Sequence, residues 1–138
     1  MATLQKDIKS SSEWLIRALN ELKKKLDYSV DSIKLIDTLI DEQFIEGIPK
    51  KNGLFSNNLG GKIFALGSYV GETIIKNTPS TTWITDDSDE KGEVSIGLLS
   101  DNGLISWPVV KVIKRIKNGQ EDNLYSYVHI IVNETASK

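Results

Sequence analysis

The chain has 138 residues, 39% hydrophobic and 26% charged, the composition of one ordinary globular domain rather than of a disordered or membrane-embedded chain. A net charge of -2, with lysine and arginine scattered along the sequence, provides no basic field for a phosphate backbone, so nucleic acid is not expected as a partner. The absence of cysteine excludes disulfides, thiolate zinc sites and cysteine nucleophiles, and a chain of this length buries about two-thirds of its unfolded surface without such staples.

Residues 1–7 hold no apolar core of signal-peptide length and no run approaches a membrane span, so a cytoplasmic protein with no membrane partner is expected. The first helix is predicted to start after Ser10, Ser11 and Ser12, where Ser10 and Glu13 have capping-box spacing. It carries Leu15, Leu19, Leu22 and Leu26 on one face and Lys23, Lys24 and Lys25 at its negative end. A second helix follows from Ser29, with Ile33, Ile36, Ile40 and Phe44 at helical spacing and Gly47 as its stop. Its other face is acidic. Residues 49–58 read as a loop, with Leu54 and Phe55 tucked under the body.

A third helix over residues 58–77 is apolar on several sides and therefore central. It contains Gly67 and Gly71 one turn apart, and each glycine inside a helix loses roughly 1 kcal/mol against alanine, so the pair implies that another backbone comes close or that something must fit there. After Pro79 the period changes to two. Residues 81–85, 93–99 and 104–107 read as strands, the last two joined by the Asp101-Asn102-Gly103 turn. Pro108 opens a fourth helix stopped at Asn118-Gly119. The last apolar segment, with Leu124, Tyr127, Val128, Ile131 and Val132 on one side, reads as a helix starting near residues 120–122, though 128–132 also suits a strand; residues 133–138 are expected to fray. The fold class is α+β in a single domain over 1–138, with an ordered core over about 10–132. N-terminal helices lead to a three-stranded antiparallel meander packed on the glycine-containing helix, and C-terminal helices follow.

Three signatures in order carry a resemblance: Leu26-Asp27-Tyr28-Ser29 with Ser32-Ile33 and Ile36-Asp37; Gly67-x-Tyr69-x-Gly71-Glu72 followed by Trp83; and Trp107-Pro108 leading to Lys111, Lys114, Asn118-Gly119 and Asp122-Asn123-Leu124. Over residues 26–127 this resembles a group of small bacterial proteins and domains of unknown function. The resemblance implies the same α+β arrangement and no established activity or catalytic residue. Some proteins of that kind are suspected to be immunity or partner-binding proteins.

Glu72 heads the candidate chemistry. Ala65, Ser68, Tyr69 and Glu72 share a helix face, so the carboxylate and the Tyr69 hydroxyl define a ligand site with Trp83 and Trp107 in one reading. In the other, which is favoured, Glu72 accepts a hydrogen bond from a tryptophan indole and pins helix to sheet. Asp37, Asp41 and Glu42 lie on the acidic side of the second helix; a solvated face, open to a partner protein with a basic surface, outweighs a shared cation. The run from Asp87 through Asp89 to Gly92 opens like a calcium loop but has Lys91 at the fifth position and Leu98 at the twelfth, so an acidic hairpin loop open to the same partner is preferred. His129 belongs to no catalytic motif, and no nucleophile elbow, phosphate loop or dinucleotide fingerprint is present. No metal or cofactor is expected. The expected function is non-enzymatic protein binding, immunity-like or regulatory. The alternatives are a small-ligand binder or enzyme around Tyr69, Glu72, Trp83 and Trp107, and a homo-oligomer built on exposed apolar surface.

Overall fold

The structure, a computed structural model, describes residues 3–136. Helix α1 spans Leu4–Glu21 and begins well before the serine cluster, because its first turn is capped twice. The Thr3 hydroxyl accepts from Lys6 N–H (3.2 Å), and the distant Asp87 carboxylate accepts from Leu4 N–H (2.7 Å). Ser12 is an interior residue on the stripe of Leu4, Ile8, Leu15 and Leu19, its hydroxyl bonded to that of Tyr28 (2.9 Å). The helix ends before the three lysines. Lys23 takes a left-handed conformation (φ 60°), and Lys23 and Lys24 N–H return to the carbonyls of Asn20 and Leu19, the bonding of a Schellman stop.

A tight helical turn, Val30–Ser32, capped by the Ser29 hydroxyl, leads into α2, Ile33–Gln43. Phe44 does not continue the helix. It opens β1, Phe44–Ile45, paired with β2, Ile48–Pro49, and Gly47 stops no helix but completes a two-residue hairpin loop with Glu46. Both loop residues have positive φ (51° and 80°), as a primed hairpin turn requires. Phe44 is thereby turned inward against Phe55, ring centroids 5.1 Å apart, and Phe55 is tucked away as expected.

Helix α3, Leu59–Lys76, is the centre of the molecule: from Phe64 through Gly71 every residue is buried. It packs against α1 and against α4, Pro108–Asn118. The meander has the predicted order but short strands: β3 Thr82–Ile84, β4 Gly97–Leu99 and β5 Ile105–Ser106, antiparallel throughout. Residues 93–95 are turn and bend rather than strand, with Val94 exposed and Ile96 buried. A tight turn, Gly119–Asp122, joins α4 to α5, Leu124–Ala136. The last segment is therefore helix, with Leu124, Val128 and Ile131 inward. It continues through residues expected to fray, and Thr135 is buried with its hydroxyl bonded to the Ile131 carbonyl (2.8 Å); residues 137 and 138 lie outside the described residues. The described residues form five α-helices and two small antiparallel sheets, an α+β fold. Among the described residues, no helix is long and apolar enough to cross a membrane.

Candidate functional site

Of Tyr69, Glu72, Trp83 and Trp107, the structure brings Glu72 and Trp83 into contact and sets Trp107 apart from them. Tyr69 is fully buried; its hydroxyl accepts from Tyr28 N–H (2.8 Å), shares a bond with the Ser32 hydroxyl (2.6 Å), and its ring stacks on Tyr28 (5.0 Å). Burial pushes its phenol pKa up, against the opposing pull of the Ser32 bond. Glu72 is half-buried and accepts from the Trp83 indole N–H (3.1 Å), which is the pin between helix and sheet. Trp83 and Trp107 then part company. Trp83 pairs with Leu98, which pairs with Ser106, and this row faces the core. Trp107 continues the opposite alternation, from Ile105, on the outer face.

The two glycines of α3 are explained by close approach. A Cβ at Gly71 would stand 2.1 Å from Trp83 Cη2, and one at Gly67 would stand 2.9 Å from Val109 Cα and 3.0 Å from Val109 N. Gly71 therefore seats the inner face of the sheet, and Gly67 seats the first turn of α4.

The acidic face on α2 requires correction. Asp37 is buried, not solvated: its carboxylate accepts from Arg115 Nε (2.8 Å), Leu124 N–H (3.0 Å) and Tyr125 N–H (2.9 Å). It thus caps α5 and neutralises a guanidinium at once. Asp41 is half-exposed but committed to Arg115 Nη2 (2.8 Å) and Gln120 Nε2 (2.6 Å). Burial would depress the Arg115 pKa, and the bonds and charges of Asp41 and Asp37 outweigh it and hold it above its ordinary value. Glu42 is on the surface as well, paired with Lys24 (2.7 Å). Arg115 was not singled out in the sequence, yet it falls within the apolar stripe of Val109, Val112 and Ile116 on a helix whose other cations are lysines. A lone arginine in such a stripe signals a buried carboxylate elsewhere.

The acidic connection between β3 and β4 is also partly occupied. Asp87 caps α1, Asp89 accepts from Lys91 N–H (2.9 Å), and Asp86 accepts from the hydroxyl and N–H of Ser88, bonds that lower its pKa. His129 is exposed, stacked on Tyr125 (5.5 Å) and bonded to Asn133 (2.9 Å). Among the described residues, no group of three or more histidine, aspartate and glutamate side chains has the geometry of a metal centre.

The feature that stands out is the outer face of the meander. Register sets Thr82 beside Leu99 and Leu99 beside Ile105 in one row, and Ile84 beside Gly97 in the next. Trp107 lies across that second row, its Nε1 3.4 Å from where a Gly97 Cβ would be. Ile84 is 43% exposed, Leu99 38%, Ile105 44% and Trp107 50%. Beyond β5 a groove of about 480 Å³ runs to exposed Ile130, with Tyr127 in its lining beside Ser106 and Lys111. The sequence signal for this face was present in Leu98-Leu99 and Ile105 on either side of the Asp101 turn, where alternation predicts one polar side and finds none.

Tyr127 carries a testable oddity: its hydroxyl is sealed from solvent, with Ser106 nearby but outside hydrogen-bonding geometry. Burial pushes its pKa up to about 12. The neutral phenol is favoured in the fold, so stability is fully present below the unfolded value of about 10 and is lost as pH rises from there through about 12. Tyr127→Phe is expected to hold or gain up to about 1 kcal/mol at pH 7 and to flatten the alkaline loss between those values. Urea melts at pH 7 and at alkaline pH check both, and a loss above about 1 kcal/mol at pH 7 would show a hydrogen bond that the geometry lacks.

Compared with protein families, curated proteins and solved structures, the chain finds no match in any of the three, so its site is defined by its own geometry.

Proposed function

We propose that the protein is a non-enzymatic protein-binding module that docks its partner on the outer face of the three-stranded sheet. The observation that supports this is the side-by-side exposure of Ile84, Leu99, Ile105 and Trp107 on one face. Scattered apolar residues are normal on a surface, whereas a contiguous patch with a tryptophan in it is the composition of an interface core. The rival ligand site around Tyr69 and Glu72 draws no comparable support, since Tyr69 is fully buried and Trp83 and Trp107 face opposite ways. The acidic α2 surface loses Asp37 to burial under Arg115, and the half-exposed Asp41 is engaged by Arg115 and Gln120, which moves the favoured docking face from α2 to the sheet.

A photo-crosslinking amino acid placed at Leu99, in the native host, is expected to yield a discrete protein adduct. The same group at exposed Lys9 on α1 is expected to yield none. The adduct should disappear when Ile84→Lys is added. Equal labelling from both positions would remove the sheet as a specific docking face.

A further inference from the structure

Resting on that reading, we infer that the occupant of the sheet face is a second copy of this chain, related by a two-fold axis running along β4 between the two faces. The outer face is self-complementary under that operation. The axis keeps each end of the sheet over the same end of the other copy and exchanges the β3 and β5 edges. The row Ile84, Gly97, Trp107 then meets Trp107, Gly97, Ile84 of the second copy. Each bulky indole stands against an isoleucine at either side, and glycine faces glycine in the middle. Leu99, on the central strand, meets its own counterpart, while Thr82 and Ile105 exchange.

Charge selects this axis over the alternative. The connection from β3 to β4 and the start of α4 leave the sheet at the same end, one by the β3 edge and one by the β5 edge. Exchange of edges therefore sets the acidic connection of one copy over the α4 turns of the other, which carry Lys111 and Lys114. Glu90 and Glu93 are exposed in that connection, as is Lys114 on α4, and none of the three has an ion-pair partner among the described residues. The other in-plane axis, across the strands, keeps β3 over β3 and would lay the acidic connection over the uncharged residues 77–82 that enter that strand, leaving Glu90 and Glu93 without a cation. The size also fits. The exposed parts of the four side chains expose on the order of 400 Å² of apolar surface, and with a polar rim of similar extent this reaches the roughly 800 Å² per partner of a standard interface.

Sedimentation equilibrium on the full chain tests this. The wild type is expected to dimerise with Kd on the order of 1–100 µM. Trp107→Lys should raise Kd about a hundredfold or more, and so should Ile84→Lys, a change at a solvent-facing edge position that leaves the Gly97 cover intact. Glu90→Lys/Glu93→Lys and Lys114→Glu are each expected to weaken self-association about tenfold, and an equimolar mixture of the two should recover it, because both ends of the mixed pair regain opposite charges. A wild type that stays monomeric at about 1 mM overturns the two-fold pair, as does a mixture no tighter than its components. A strictly monomeric chain that still gives the Leu99 adduct with a different protein overturns the self-pairing and leaves the docking face standing; a monomer with no adduct removes both.

Discussion

Arg115→Met is expected to lower the unfolding free energy by about 3–5 kcal/mol, the largest single loss outside the aliphatic core, because it strands the Asp37 carboxylate inside the protein. Methionine fills much the same volume, so the effect isolates charge from packing. In the native chain the guanidinium joins α4 to α2 through Asp37 and Asp41, while the same Asp37 carboxylate receives the first N–H groups of α5. Three helices meet at one ion. Asp41→Asn is the matched control: its carboxylate is 49% exposed, so water compensates and the loss should stay within about 1 kcal/mol. Urea denaturation of both variants provides the comparison. An Arg115→Met loss no larger than that of Asp41→Asn would mean that Asp37 is satisfied by the α5 amides alone.

The second large effect separates two glycines of the same helix by sign. Gly67→Ala gains helix propensity of about 1 kcal/mol, but its Cβ meets Val109 Cγ2 at 2.4 Å and Val109 backbone atoms at 2.9 and 3.0 Å. Backbone cannot rotate aside as a side-chain tip does, so α4 must move off α3, and the net loss is expected at about 2 kcal/mol. Gly60→Ala, in the first turn of the same helix, has nothing within 4 Å of the new atom and should gain about 0.5 kcal/mol. Thermal melts of the pair decide it: a shift of both in the same direction would leave propensity alone governing α3 and remove close packing as the reason for Gly67.

These two sites also mark where reading the chain succeeded and where it ran out. Gly67 and Gly71 stood out from the sequence as a close approach, and that inference holds because the penalty for glycine in a helix is local and some compensation must exist. What approached them was not legible, since Val109 and Trp83 come from elements that only the fold brings near. The helix face of Glu72 is compatible with a ligand site or an indole bond, and the geometry supplies the indole of Trp83. Asp37 has the sequence context of a solvated carboxylate on an amphipathic helix; its compensating cation is on α4 and its compensating amides are on α5, both distant in sequence.

From the sequence by itself follow the α+β class, the central apolar helix, the three-strand order, the Asp101-Asn102-Gly103 turn and the Pro108 start of α4. All of these rest on interactions within a few residues, where periodicity, turn chemistry and proline geometry act directly. Tertiary structure alone decided the rest. It started α1 at Leu4 through a carboxylate from the far side of the chain, and it turned Phe44 out of its helix into a hairpin that buries it on Phe55. It buried Asp37 under Arg115, and it set Trp83 and Trp107 on opposite faces of one small sheet. Each of these outcomes is settled by burial against a distant partner, and the free energy of removing a charge or a ring from water depends on what waits at the other end.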